Sequence, residues 1–305
     1  MKQKKKNKIR KYLVLYLMAM PGLIYLLVNN YIPMAGLVIA FKKYQANKGI
    51  FGSEWIGFTN FKFLFQTSDA LVITRNTILY NIVFIVMGTV LAVILAIFYS
   101  SVREKALGFF QGAILLPNLI SWVIISYLVF AFLSADTGFI NSTILKLFGV
   151  KGINWYNEAK YWPFILIFVY LWHSIGYTSI VYFASVIGID KGYFEVAELE
   201  GASVWQKIRY ITLPFIKPVI ITMVLLAVGR IFYSDFGLFY QVPMNSGTIY
   251  STTNVIDTYV YRSLMQQGNI GMSAASGLYQ SFVGLVVVLL AHAIVRRADE
   301  RSTLF

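Results

Sequence analysis

Charged residues leave long stretches of this chain untouched, and that pattern limits the fold more than any motif does. Uncharged runs cover Tyr12–Phe41, Asn76–Val102, Ala106–Ala135, Tyr161–Ile189 and Ser263–Val295. A sixth apolar stretch, Phe215–Tyr240, holds Lys217, Arg230 and Asp235. A helix needs about 20 apolar residues to cross the hydrocarbon layer of a bilayer. Only 13% of the 305 residues are charged, about half of the roughly 25% usual in soluble domains. The pattern predicts an all-α polytopic membrane protein with about six transmembrane helices, near 12–41, 77–100, 111–134, 161–187, 215–240 and 272–295.

Lys and Arg set the expected orientation, because positive charge stays on the cytoplasmic side. With both termini cytoplasmic, segments 1–11, 100–111, 188–218 and 296–305 face inward, and they are richer in Lys and Arg than the outer loops 42–75, 134–160 and 241–273. The chain then divides into a basic cytoplasmic segment 1–11, a transmembrane domain 12–295 with a cytoplasmic loop 190–214, and a cytoplasmic tail 296–305. The net charge of +13 invites a nucleic-acid partner, but MKQKKKNKIRK sits directly before a span and reads as a lipid-facing topogenic cluster. Its apolar continuation is too long for a cleaved signal peptide.

Enzyme chemistry finds little purchase. Cysteine is absent and the two histidines, His173 and His292, lie on different spans, so no metal-ligand spacing arises. No Walker loop or GxSxG turn occurs, and the chain is expected neither to bind a cofactor nor to hydrolyse nucleotide by itself. The first span contains Pro21 and Pro33, which kink membrane helices. The last carries small residues, among them Gly271, Ser273, Ala274, Ala275, Ser276, Gly277, Ser281 and Gly284, which suit close helix packing. The outer segments after the first and third spans read as loops with short helices.

One polar stretch stands apart, EVAELEGASVWQKIRYITLP from Glu195 to Pro214. Glu195, Ala197, Glu198 and Leu199 favour helix, Gly201 interrupts, Ser203 suits an N-cap, and Pro214 suits a helix start. Two short helices meeting at a glycine would offer Glu195, Glu198 and Glu200 on one and Lys207 and Arg209 on the other. Val204, Trp205, Ile208 and Ile211 would anchor the knob to the bundle or fill a groove in a partner. An amphipathic helix resting on lipid headgroups fits the composition equally.

The spacing within this stretch resembles the EAA loop of ABC importer permeases. Glu195-Val196-Ala197, three residues, Gly201, nine residues and Ile211-Thr212-Leu213-Pro214 match E-A-A, x3, G, x9, I-x-L-P except at Val196. PGLIYLLVNNYIPMAGLVIAFKKY, RNTILYN, LPNLISW and IDTYVYR look like permeases for carbohydrate uptake, in the branch handling complex oligosaccharides. The resemblance implies a type I ABC importer permease fold in a bacterial cytoplasmic membrane. It implies a second homologous permease as heterodimer partner, two cytoplasmic ATPase subunits carrying ATP-Mg, and an extracytoplasmic binding protein that delivers a sugar. It gives the motif roles in ATPase coupling to Glu195, Ala197, Gly201, Ile211, Leu213 and Pro214, and the acidic Glu198 and Glu200 complete the expected coupling loop.

Sugar sites pair aromatic plates with hydrogen-bonding groups. Asn118 and Trp122, Trp172, His173 and Tyr177, and Arg230, Tyr233, Asp235, Phe236 and Tyr240 are the candidates, though each aromatic also suits packing or an interfacial belt. His173 and Tyr177 are spaced for one helical face. Arg230 is costly in lipid, so it faces a cavity, pairs with Asp235 or a neighbouring subunit, or snorkels outward. A pathway-lining Arg230 would favour an acidic sugar. A polyol, a glycerol phosphate, and a self-sufficient channel or ion-coupled transporter are the alternatives.

Overall fold

Lipid offers a backbone no hydrogen-bond partner, so the uncharged runs fold into helices that satisfy themselves. The computed structural model describes residues 12–62 and 68–298. The basic segment 1–11 and the tail beyond 298 lie outside these residues. The principal elements are α1 (Leu13–Leu26), a strand pair β1 (Lys42–Lys43) and β2 (Glu54–Trp55), α2 (Ser68–Ser101), α3 (Glu104–Leu115), α4 (Trp122–Leu133), α5 (Trp162–Ile187), α6 (Lys191–Leu199), α7 (Val204–Lys207), α8 (Leu213–Val228), α9 (Ile256–Gln267) and α10 (Ile270–Ala298). Among the described residues five helical runs are long and apolar enough to cross a membrane, and there are six if the bent pair α3–α4 is counted as one span.

The chain divides into two compact units. The first takes the described residues up to 62 together with 263–278. Its long helical run starts with α1 and reaches Phe41 through a π turn at Leu27–Tyr31 and a 3-10 turn at Ala35–Phe41. After it, β1 and β2 pair antiparallel, a feature the sequence reading of this loop did not include. Asn60 Nδ2 ties the turn down by donating to the carbonyls of Ala40 at 2.9 Å and Lys42 at 3.0 Å. The start of α10 packs closely here. A Cβ on Gly271 would stand 2.7 Å from Asn60 Nδ2, so a larger residue here would displace the Asn60 amide.

The second unit takes 68–262 and 279–298. Its most extensive helix pairing joins α2 and α5. Tyr80 and Phe84 of α2, Trp162 and Leu166 of α5, and Leu238 and Phe239 form one buried cluster. Tyr99, Tyr182 and Ile216 anchor a second. Burying one such side chain contributes about 1.5–3 kcal/mol relative to water, and inside a bilayer dispersion and close packing carry the association instead.

Three spans differ from their sequence-predicted outlines. The second starts at Ser68 rather than near 77, with Asp69 in its first turn, where a carboxylate suits the helix dipole. The third is not one helix. Pro117 cannot donate a backbone bond, a 3-10 turn replaces the helix at Leu116–Leu119, and α4 leaves at 95° with Ser121 as its N-cap. The close crossing of α3 over α5 at this bend requires Gly176, where a Cβ would fall 2.2 Å from the Ile114 carbonyl oxygen. The fifth, expected over 215–240, runs from Val204 to Val228 and then unwinds. Its proline at 214 therefore lies inside a continuous helical run, eased by a π turn at Ile208–Thr212, and does not separate the loop from the span.

Candidate functional site

Span five breaks where Gly229–Phe232 form a turn and residues 233–235 are irregular. Gly229 and Gly284 let α8 and α10 approach at the break; a Cβ on Gly284 would stand 3.0 Å from the Gly229 carbonyl oxygen. Backbone groups freed in an apolar setting need partners, and side chains from three helices supply them. Asn81 Nδ2 on α2 donates to the carbonyls of Ile231 and Tyr233, both at 3.0 Å. Gln280 Nε2 on α10 donates to the Phe232 carbonyl at 2.7 Å. Asp257 Oδ2 on α9 accepts from Ser234 N at 2.8 Å. Burial pushes the Asp257 carboxyl above the usual carboxylate range, against the opposing pull of these hydrogen bonds and of Arg230.

The break borders a cavity of about 560 Å³. Aromatic plates line it: Phe84 stacks on Tyr170 with ring centres 3.8 Å apart, and Tyr233 and Phe236 join from the broken span. Thr89, Ser174, Thr178, Tyr182 and Ser234 add hydroxyls. The Ser234 hydroxyl is buried without a hydrogen-bond partner among the described residues. Arg230 and Asp235 both line the cavity and are exposed, but they are differently engaged. Asp235 Oδ2 accepts from Trp122 Nε1 at 3.1 Å and Oδ1 from Leu238 N at 3.2 Å, so it caps the next turn and holds a tryptophan. Arg230 makes no ion pair among the described residues, whose salt bridges are Lys160–Glu158 and Lys207–Glu198. The cavity therefore presents a guanidinium that is in no ion pair among the described residues, beside a carboxylate held by neutral donors.

On the loop side, Asp190 caps α6 by accepting from Gly192 N at 2.8 Å. The end of α6 is a Schellman turn: Ala202 N donates to Ala197 O at 2.8 Å and Gly201 N to Glu198 O at 3.0 Å. Gly201 takes φ +75°, a left-handed conformation that favours glycine. Ser203 and Gln206 then close a reciprocal capping box around α7. Lys207 Nζ meets Glu198 Oε1 at 2.6 Å and pins the two helices. Tyr193, Val196, Leu199, Val204, Trp205 and Tyr210 remain exposed. Of the expected anchors, Ile211 packs into the core and Val204 and Trp205 do not.

Residues 88–300 match the sequence profile of the family described as "Binding-protein-dependent transport system inner membrane component". The chain belongs to this family. The permease is 33% identical to the polygalacturonan/rhamnogalacturonan transport system permease protein YteP of Bacillus subtilis, over 99% of this chain and 94% of YteP. It is 32% identical to Protein LplB of the same organism, over 94% of this chain and 90% of LplB. Among solved structures it is similar to a chain of a bacterial ABC transporter involved in the import of the acidic polysaccharide alginate, with a TM-score of 0.87, 32% identity, and coverage of 97% of this chain and 99% of that one. A second structure of the alginate transporter, in complex with an alginate pentasaccharide-bound periplasmic protein, gives a TM-score of 0.86 at 32% identity over 96% of this chain and 97% of that one.

The permease brings some of the sequence-predicted residues together and separates others. Arg230, Tyr233, Asp235 and Phe236 line the cavity. Arg230 and Asp235, expected on one helix as a possible pair, lie on an unwound segment and form no ion pair among the described residues. Trp122 and His173 lie ring against ring, tilted by 31°, with centres 4.1 Å apart, and Trp122 reaches the cavity lining through its bond to Asp235. Tyr240 stacks on Phe236 at 4.9 Å, one layer behind the lining. Asn118 and Trp172 do not line the cavity, and Trp172 packs against the core cluster instead. Tyr177 is 62% exposed, so spacing alone did not bring it to the site with His173. Asn81, Phe84, Tyr170 and Ser174 were missed. A lone polar residue in an apolar run, as Asn81 is within ILYNIVF, was the available signal.

Proposed function

We propose that this permease is one of two transmembrane subunits of an ATP-driven importer and that its cargo is an acidic oligosaccharide. The observation that carries the second part is the unpaired Arg230 beside aromatic plates and hydroxyls. A guanidinium binds a carboxylate through charge-assisted hydrogen bonds, stacked rings take the apolar faces of sugar rings, and the Ser234 hydroxyl offers a donor. Relatives and structural neighbours named for polygalacturonan, rhamnogalacturonan and alginate transport support the same substrate class. A binding protein outside the membrane would deliver the sugar, as the complex of the alginate transporter with its loaded periplasmic protein suggests. A second homologous permease completes the pathway as a heterodimer, and two cytoplasmic ATPases bind ATP with Mg. The knob formed by α6 and α7 docks into an ATPase, with Glu195, Ala197, Glu198, Glu200, Gly201, Ile211, Leu213 and Pro214 as its coupling elements, and both termini lie in the cytoplasm.

The test is to purify the tagged chain from its native membrane in mild detergent. Recovery of a Walker-bearing ATPase and a second permease, with ATP-driven uptake of a galacturonate trisaccharide when the assembly and its binding protein are reconstituted in vesicles, is the expected result. Recovery of this chain alone, together with uptake that ignores ATP, contradicts it.

A further inference from the structure

Two sequence motifs, RNTILYN at 75–81 and IDTYVYR at 256–262, reach the cavity lining only through Asn81. The structure gives them a shared task. Asn76 Nδ2 donates to the carbonyls of Ser251 and Asn254, at 3.2 and 3.0 Å. Thr77 Oγ1 accepts from Ile256 N at 3.1 Å. The motifs are thus fastened to each other, and each sends one further residue to the broken span: Asn81 from the first and Asp257 from the second. With Gln280, these residues hold backbone groups of all four consecutive residues from Ile231 to Ser234. Arg230 opens the same turn, its carbonyl accepting from Tyr233 N at 2.8 Å.

The geometry points to Asn81 and Gln280 as positioning residues for Arg230: they set where its guanidinium stands in the cavity by fixing the backbone turn that carries it. This rests on the acidic-cargo reading only for its consequence in transport, since the positioning is a property of the turn. Satisfying the unwound backbone is a structural necessity, and it explains why polar side chains occur here. It does not explain why the fixed segment directly follows Arg230, a cavity-lining cation in no ion pair among the described residues. A looser turn would leave the guanidinium spread over several orientations, and an ordering cost would then be paid on each binding event.

Because the chain has no cysteine, Arg230→Cys places a single thiol in it. In the importer purified with its co-purifying subunits, the rate of labelling of this thiol by a positively charged methanethiosulfonate reagent is measured with and without Asn81→Leu, reading label on this subunit alone. The second change is expected to alter the labelling rate about tenfold. An unchanged rate overturns the proposal, whatever the cargo is. Transport supplies the second readout. For galacturonate trisaccharide, Asn81→Leu should raise the half-saturation concentration about tenfold with a maximal rate within about twofold, and the double variant Asn81→Leu/Arg230→Gln should transport like Arg230→Gln alone. Additive losses, or a fall in maximal rate at constant half-saturation, would mean a merely structural role and contradict the proposal. An altered labelling rate with uptake indifferent to Arg230→Gln leaves the positioning intact and removes the acidic-cargo reading. Should Asn81→Leu fail to assemble, Gln280→Met, which removes the bond to Phe232, is read in the same two ways.

Discussion

The α6–α7 knob and the broken stretch 229–235 are both interruptions in an apolar chain, and they are held in opposite ways. The knob closes on itself. Its Schellman turn, capping box and Glu198–Lys207 pair all join residues within 190–207. The break is held from afar by the side chains of Asn81, Asp257 and Gln280 on three other helices, beside its own turn bond from Tyr233 N to Arg230 O. The difference follows from solvent. An exposed knob can leave residual polar groups to water, whereas an unwound segment within a span must be satisfied by its neighbours. The bonds within the knob fix its own shape, and α7 carries it directly into the fifth span. A break held from three sides is tied to the helices around it.

The largest expected effect breaks the knob. Gly201→Trp forces a bulky residue into the left-handed region, where L-residues are strained by about 1–2 kcal/mol, and puts an indole on the face proposed to meet the ATPase. The subunit should still insert, and uptake should be lost while ATP hydrolysis by the assembly persists. Normal uptake in vesicles would remove the coupling role. A smaller effect tests the break. Gly237→Ala places a Cβ 2.1 Å from Trp122 Cδ1, so the tryptophan that is bonded to Asp235 and lies against His173 must shift. Overpacking of this kind costs about 1–3 kcal/mol, read as a lowered melting temperature of the purified subunit in detergent with diminished uptake. An unaltered melting temperature would mean the Trp122 contact is loose. The smallest effect returns to the knob. Glu198→Gln removes a pair whose acid is 64% exposed, and such pairs contribute about 0–1 kcal/mol. Stability in a chemical denaturation series should barely change, and a large loss would show that the pair anchors more than the two short helices.

The same contrast decides what was legible in the sequence. The knob follows local rules, so Gly201, Ser203 and the helix-forming glutamates could be read from their spacing. The membrane class followed from the uncharged runs. The breaks did not, because hydropathy does not distinguish a continuous apolar helix from one that turns. Pro117 marked the 95° bend only in retrospect. Nothing local at 229–235 announces unwinding besides Gly229 and the charges at 230 and 235. The decisive residues are Asn81 and Gln280, roughly 150 and 50 positions away, and a single sequence carries no signal linking them. Of the aromatic candidates, Tyr233 and Phe236 line the cavity and Trp172 and Tyr177 do not, because helical spacing gives a shared face and only packing tells which face meets a cavity. Tyr177 and Trp172 share α5 with Tyr170 and Ser174, yet only the latter two line the site.

The claim on which the account turns is that Arg230 reads a negative charge on the cargo. The direct measurement is ATP-driven uptake by the reconstituted importer of a galacturonate trisaccharide and of a neutral trisaccharide of the same length, by the unaltered chain and by Arg230→Gln. The account predicts preferred uptake of the acidic sugar, with a half-saturation concentration that rises about tenfold or more in the variant while the neutral sugar's is unmoved. Equal responses of the two sugars to the substitution, or none by either, would contradict it.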